Sequence, residues 1–427
     1  MVSRLLYSVI LPFFFAAVIV AADWTVFNGP HRDKVSSETG LLKSWNDGGP
    51  PLLWKTDTLG TTEFPGYSSV TVAGGRVFTA GNVRTGNNDQ EAHVYVFALD
   101  EKTGEELWRY RNGIAWTDKT RYPGERGTPT VDGDRLYAFS AMGRVACLSV
   151  AAGKEIWARD LREEYDAELP EWAFAESLFV DGSKIAVWIG AKNAAVVALD
   201  KLTGKTVWTT PGNEHYGNYA SMLVFEHGGQ RIYVNSNRKG FLAVNGDTGK
   251  RLFFIPHETP RGDIMATTPH YFEGKLFITS GYSIGSRLYR LDVEGETITP
   301  HPLWSNKQFD NQLGGIVIKD GYVYGATMNY KGGRNWTCMK LEDGSSAWEN
   351  PGVHIGSITC ADGMLYCLSE NDGAAALVKA TPERYEEISR FSLPEGVGPY
   401  WAHPVIANKK LFIRHGKYLY CYDVAEK

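Results

Sequence analysis

Residues 94–110 read VYVFALDEKTGEELWRY, and much of the chain restates that line. An alternating apolar run ends at Ala98-Leu99-Asp100, turns through Thr103-Gly104 and restarts as a second run carrying Trp108. Period-2 alternation on both sides of a glycine turn describes two antiparallel strands. Residues 195–210, AVVALDKLTGKTVWTT, repeat the pattern with Asp200, Gly204 and Trp208. Looser copies are RVACLSVAAGKEIWARD at 144–160, FLAVNGDTGKRLFFIP at 241–256 and CMKLEDGSSAWEN at 338–350. A period of roughly 40–50 residues with several short strands in each is the signature of a β-propeller.

Working outward from the copies, eight second-strand segments can be counted, at 76–81, 135–140, 184–189, 231–236, 275–280, 322–327, 364–369 and 410–415. Outer strands carry Trp108, Trp157, Trp208, Phe253, Trp304, Trp348 and, in an irregular copy, Phe391. That leaves the last blade without a fourth strand, while residues 52–56, LLWKT, form a spare Trp-bearing strand before the first blade. The expected fold is therefore all-β: eight four-stranded antiparallel blades, the ring closed by the Trp54 strand, with a seven-blade ring as the alternative. The aromatics Trp54, Trp108, Trp157, Trp208, Trp304 and Trp348 are read as structural, each lying against the next blade and covering its turn, worth about 1.5–3 kcal/mol or more when buried.

A closed ring can absorb all 427 residues into one body. The formal net charge of −5, with no run of five like charges, argues against nucleic acid and anionic membrane surfaces. Residues 1–22 hold Arg4, an apolar run and Val20-Ala21-Ala22 before Asp23, which reads as a cleavable export signal, with a retained membrane anchor as the alternative. The expected location is periplasmic or extracellular. Residues 23–51 lack periodicity and are expected to wrap one face of the ring, anchored by Trp24, Phe27 and Trp45; the propeller is expected over 52–427. Five cysteines cannot all pair within one chain. Cys360 and Cys367 flank the Asp362-Gly363 turn, but a two-residue hairpin sets Cys360 opposite Leu365, so buried thiols are expected rather than a bridge.

The unit A-L-D-x-x-T-G-x-x-x-W resembles the repeat of the pyrroloquinoline quinone (PQQ) propeller superfamily, and W-x-x-F-N-G-P-x-R-D at 24–33 resembles secreted PQQ-like repeat proteins. That superfamily includes the quinoprotein alcohol dehydrogenases and the propeller lipoprotein of the outer-membrane barrel-assembly machinery. The resemblance to the dehydrogenases implies PQQ in the funnel beside a disulfide of adjacent cysteines, with calcium held by Glu, Asn and Asp. This sequence has no Cys-Cys pair and no haem C-x-x-C-H. Resemblance to the lipoprotein stops short of a lipid-attachment cysteine near the leader.

Loops entering the innermost strands gather at one mouth of a propeller's channel. They supply Tyr67, Arg126, Glu171, Trp172, Tyr216, Asn218, Arg261, Asp263, Trp401 and His403 as funnel candidates. Aromatic, Arg and carboxylate side chains on a concave mouth suit a small ligand or peptide, or they satisfy one another. Glu171, Asp263 and Asn218 are the oxygen donors a metal would meet first. The expectation is a non-catalytic binding or scaffold module for a protein, peptide or glycan partner, the alternative being a PQQ- and calcium-dependent oxidoreductase. The G-x-S-x-G at 281–285 joins two strands, where a nucleophile elbow needs a strand-to-helix turn.

Overall fold

The Asp100 turn shows how the repeat folds. Asp100 Oδ1 accepts the Lys102 and Thr103 amides at 2.8 and 2.9 Å, and Gly104, at φ +74°, donates back to Asp100 O. Asp200 and Asn245 cap their own turns the same way. Glycine is needed there twice over. Its backbone is left-handed, and a Cβ on Gly104 would lie 2.4 Å from the Trp54 ring. Gly153, Gly204, Gly249 and Gly344 likewise seat Trp108, Trp157, Trp208 and Trp304 from the outer strand of a neighbouring blade. Trp54, Trp108, Trp157, Trp208, Trp304 and Trp348 each donate an indole N–H to a carbonyl of the next blade, at 2.9–3.2 Å.

The computed structural model describes residues 23–427 apart from 63–65, 87, 89–90, 119, 121, 213–218, 260–263, 330–332, 395 and 397; the leader expected at 1–22 lies outside the described residues. The strands form eight antiparallel four-stranded units. Blade one is Thr71–Ala73, Arg76–Arg84, Ala92–Asp100 and Glu106–Ile114, and the next six follow in chain order. Blade eight comprises Val405–Ala407, Lys410–His415 and Tyr418–Asp423, and its outer strand is Leu52–Thr56, with Trp54 opposite Cys421. Eight blades and closure by the Trp54 strand are thus what the chain forms. All five cysteines are free and buried, and Cys360 stands opposite Leu365. Among the described residues, no helix is long and apolar enough to cross a membrane.

Every outer strand carries a β-bulge, one residue before its aromatic in seven blades and three before Phe391 in blade seven. Leu53, Leu107, Ile156, Val207, Leu252, Leu303, Ala347 and Ile388 are the skipped positions. The extra residue turns the aromatic toward the neighbouring blade, pushes itself outward and spoils the edge for further pairing.

The lead-in corrects part of one expectation: its first half fills the bore, and only its second half lies across a face. Trp24 pairs with Val72 on the innermost strand of blade one, and Val131 of blade two donates to Thr25 O. Val35–Ser36 then runs parallel to the innermost strand of blade seven, Gly356–Ala361. Unused backbone groups on the innermost strands give an entering segment partners that a solvent-facing wrap would lack. The chain leaves beneath blades seven and eight, where Leu41 pairs with Ala425 and Trp45 packs edge-on against Phe391. There Gly49 seats Phe391, standing in for the turn that blade eight lacks.

The seam between blades eight and one is closed by Arg414, which is buried. It donates to the carbonyls of Leu59, Ser68 and Ala80 and to Thr79 Oγ1 on one side, and to Gly416 O on its own.

Candidate functional site

A belt of hydroxyls sets the inner loops around the hub. The Ser69 amide donates to Thr128 Oγ1, that of Thr128 to Ser177 Oγ, and that of Ser177 to Ser221 Oγ, at 2.9–3.0 Å. His403 N closes toward blade one by donating to Ser69 Oγ at 2.7 Å. A small hydroxyl residue two positions before an innermost strand recurs in the sequence as Ser69, Thr128, Ser177 and Ser221, a signal the funnel reading passed over.

Above the belt opens a cavity of about 260 Å³. Its described wall holds Tyr67, Tyr122, Trp172, Tyr219, Tyr282 and Trp401, with Arg126 and Gln312 among them and Phe27 and His403 also in the lining. Tyr122 stacks on Trp172 at 6.3 Å and meets Trp401 edge-on at 5.3 Å; Trp401 also packs on Tyr67 at 5.0 Å. The Arg126 guanidinium lies 5.2 Å from the centroids of Tyr67 and Trp116 and donates to the carbonyls of Tyr122 and Gly124. Tyr122 and Tyr282 have φ of +52° and +68°, left-handed backbone that bulky residues avoid and that gathers at ligand sites.

The cavity wall continues into the bore through Phe27 and His403, whose rings lie 5.0 Å apart. His403 Nε2–H donates to Leu313 O at 3.0 Å, leaving Nδ1 to accept from the Lys34 ammonium. Lys34 also donates to the carbonyls of Gly314 and Ile358, so each of its three protons has an acceptor although burial pushes its pKa well down. Burial also lowers His403 well below the usual histidine range, with Lys34 adding to the effect, and keeps the ring neutral.

Two carboxyls from the same loops turn away from the mouth. Glu125 accepts the Ala141 amide and burial raises it to about 8; Glu176 accepts those of Trp188 and Met222 and burial raises it to about 7. Glu176 thereby ties blade three to blade four and Glu125 braces a turn of blade two, and neither is in the described lining.

Of the funnel candidates, Tyr67, Arg126, Trp172, Trp401 and His403 come together in the wall, while Glu171 is exposed and outside the described lining. Tyr216, Asn218, Arg261 and Asp263 lie outside the described residues. The structure adds Phe27 from the plug, Tyr219, and Tyr282 from the G-x-S-x-G turn. That turn is a tight connection between strands, its Ser283 and Gly285 amides held by Asp310.

The resemblance to the dehydrogenases implies PQQ and calcium at this mouth. PQQ is a polycarboxylate held with calcium, whereas the described wall offers one formal cation, Arg126, and no carboxylate. Among the described residues no three His, Cys, Asp or Glu side chains converge. The described residues thus supply no set suited to that pair, and Asn218, Arg261 and Asp263 lie outside them.

The family model of outer membrane protein assembly factor BamB matches residues 92–350. Polyvinylalcohol dehydrogenase of a Pseudomonas species is 25% identical over 239 residues, 54% of this chain and 35% of the dehydrogenase. The outer membrane protein assembly factor BamB of Yersinia pestis is 23% identical over 257 residues, 58% of this chain and 62% of its own length. The chain thus spans less than two thirds of either relative. In fold it is similar to quinohemoprotein alcohol dehydrogenase from Comamonas testosteroni, with a TM-score of 0.63, 12% identity and coverage of 95% and 81%. BamB from Moraxella catarrhalis superposes with a TM-score of 0.59, 12% identity and coverage of 88% and 98%.

Proposed function

The chain belongs to the family described as outer membrane protein assembly factor BamB, and from that premise we propose an exported binding or scaffold module whose hub mouth engages a partner. The observation that carries this is the aromatic mouth itself, with Tyr122 and Tyr282 in left-handed backbone around a cavity of about 260 Å³. Strain held at a concave site is expected where a ligand, rather than packing alone, has set the geometry. The partner class is a protein, peptide or glycan. The export signal read from the sequence of residues 1–22 and a relative named for the outer membrane support a periplasmic or extracellular location. The oxidoreductase reading draws on dehydrogenase relatives, and the wall described above gives it no support.

The test is recovery of bound material from the native envelope with the wild-type chain and with Trp401→Ala. A partner retained by the first and lost by the second supports the reading. Reconstitution with PQQ and calcium followed by alcohol-dependent dye reduction would overturn it.

A further inference from the structure

The mouth's chemistry narrows its occupant, an inference that rests on the binding-module reading above. The cavity, about 260 Å³, falls just under the roughly 300–1,000 Å³ of sites that enclose a whole small ligand. It is open at the rim, where Tyr122 is 52% exposed. A hole of that size takes one ring and lets the rest of a longer molecule emerge. Extended peptides use grooves that run past several pockets; the two hollows that share this wall, one through Ser69 and His403 and one through Gln312 and Leu313, hold only about 10 Å³ each, too little for a peptide side chain.

Charge narrows it further. No carboxylate is among the described lining residues, so the described wall has nothing to pair with a cationic ligand. Arg126 is itself engaged with the carbonyls of Tyr122 and Gly124 and with two rings. The favoured occupant is neutral.

The wall also asks for hydroxyls. Tyr67 Oη and Gln312 Oε1 are buried polar atoms with no hydrogen-bond partner among the described residues, although Gln312 Nε2 donates to Tyr282 Oη at 2.8 Å. A buried phenol and a buried amide oxygen left unpaired are costly, and such groups call for a ligand or water to complete them. A group able both to donate and to accept answers the two together.

We propose that the occupant is the neutral pyranose ring ending a glycan chain, its C–H face against Trp401 and Tyr122 and its hydroxyls completing Gln312 and Tyr67. The test is calorimetry and saturation-transfer NMR on the full chain with cellotetraose, maltotetraose, mannotetraose and chitotetraose. A proline- and aromatic-rich peptide pool is the competitor. The expected result is saturable binding of at least one tetrasaccharide, with transfer strongest at the terminal ring. Trp401→Ala and Gln312→Leu should each weaken it about tenfold or more with an unchanged circular dichroism spectrum. Tyr67→Phe, which keeps the ring, should weaken it less than Trp401→Ala. Peptide binding at the mouth with no sugar binding overturns this inference and leaves the binding-module reading standing. An envelope pull-down unaffected by Trp401→Ala, with neither sugar nor peptide bound, overturns both.

Discussion

Arg414 places a guanidinium among carbonyls from two blades that are neighbours only because the ring closes. Burial lowers its pKa to about 9, with Glu125 opposing, so it keeps its charge at neutral pH. Replacement by Met should strand several buried carbonyls at once and cost about 3–5 kcal/mol, read as a drop in the urea midpoint. Glu125 gives a second expectation at this scale. Its folded pKa, raised to about 8, exceeds its ordinary value, so between those limits the folded chain holds a proton that the unfolded chain has released. Its contribution is therefore full at acid pH and is lost as pH rises toward about 8. Against Glu125→Gln as reference, wild-type stability should fall with pH by up to about 1.4 kcal/mol per unit, checked by urea unfolding from about pH 5 to pH 8. Neither role could be read from the chain. Arg414 sits 355 residues from Leu59, and nothing local distinguishes it from a surface arginine on a strand.

The element that recurs is the capped turn with a ring seated on its glycine, and here the sequence was nearly transparent. Asp, Thr-Gly and Trp fall within a single turn-strand unit, so their spacing encodes their geometry directly. Two glycines separate the reasons for the residue. Gly204 is left-handed and a Cβ would sit 2.7 Å from Trp157, whereas Gly133 is left-handed with nothing within 4 Å. Gly133→Ala should cost about 1–2 kcal/mol for the backbone alone. Gly204→Ala should add about 1–3 kcal/mol for the displaced ring. Thermal unfolding of the two variants side by side tests the difference. The bulge in each outer strand was less legible, because the skipped residue is an ordinary aliphatic and only strand pairing reveals the slip. The mouth was half legible for a related reason. Tyr67, Arg126, Trp172, Trp401 and His403 follow from counting loops, while Tyr282 and Phe27 enter from a different turn and from the plug.

For the whole molecule, closure depends on the segment that precedes the first blade. A chain lacking residues 23–56 should lose both the bore strand and the outer strand of blade eight. The edge of Tyr418–Asp423 would then be open to pairing with other chains. Light scattering should show dimers or larger assemblies where the intact chain gives one species. The plug escaped the sequence reading because a non-periodic run rich in Gly, Pro and polar residues looks like a surface wrap. What contradicts that appearance, the burial of Arg32 and Lys34, is visible only once distant strands surround them.

The lead-in sets a schedule as well as a shape. Lys34 reaches His403 across 369 positions, and Trp54 waits for Cys421. A ribosome or export channel delivers those halves at opposite ends of synthesis, so the earliest residues made are among the last to find their places. Pairings so remote are slow to form and leave a sticky, half-built intermediate in the meantime. The same threading that seals the finished wheel commits the nascent chain to a long interval unsealed, during which a holding chaperone would earn its keep.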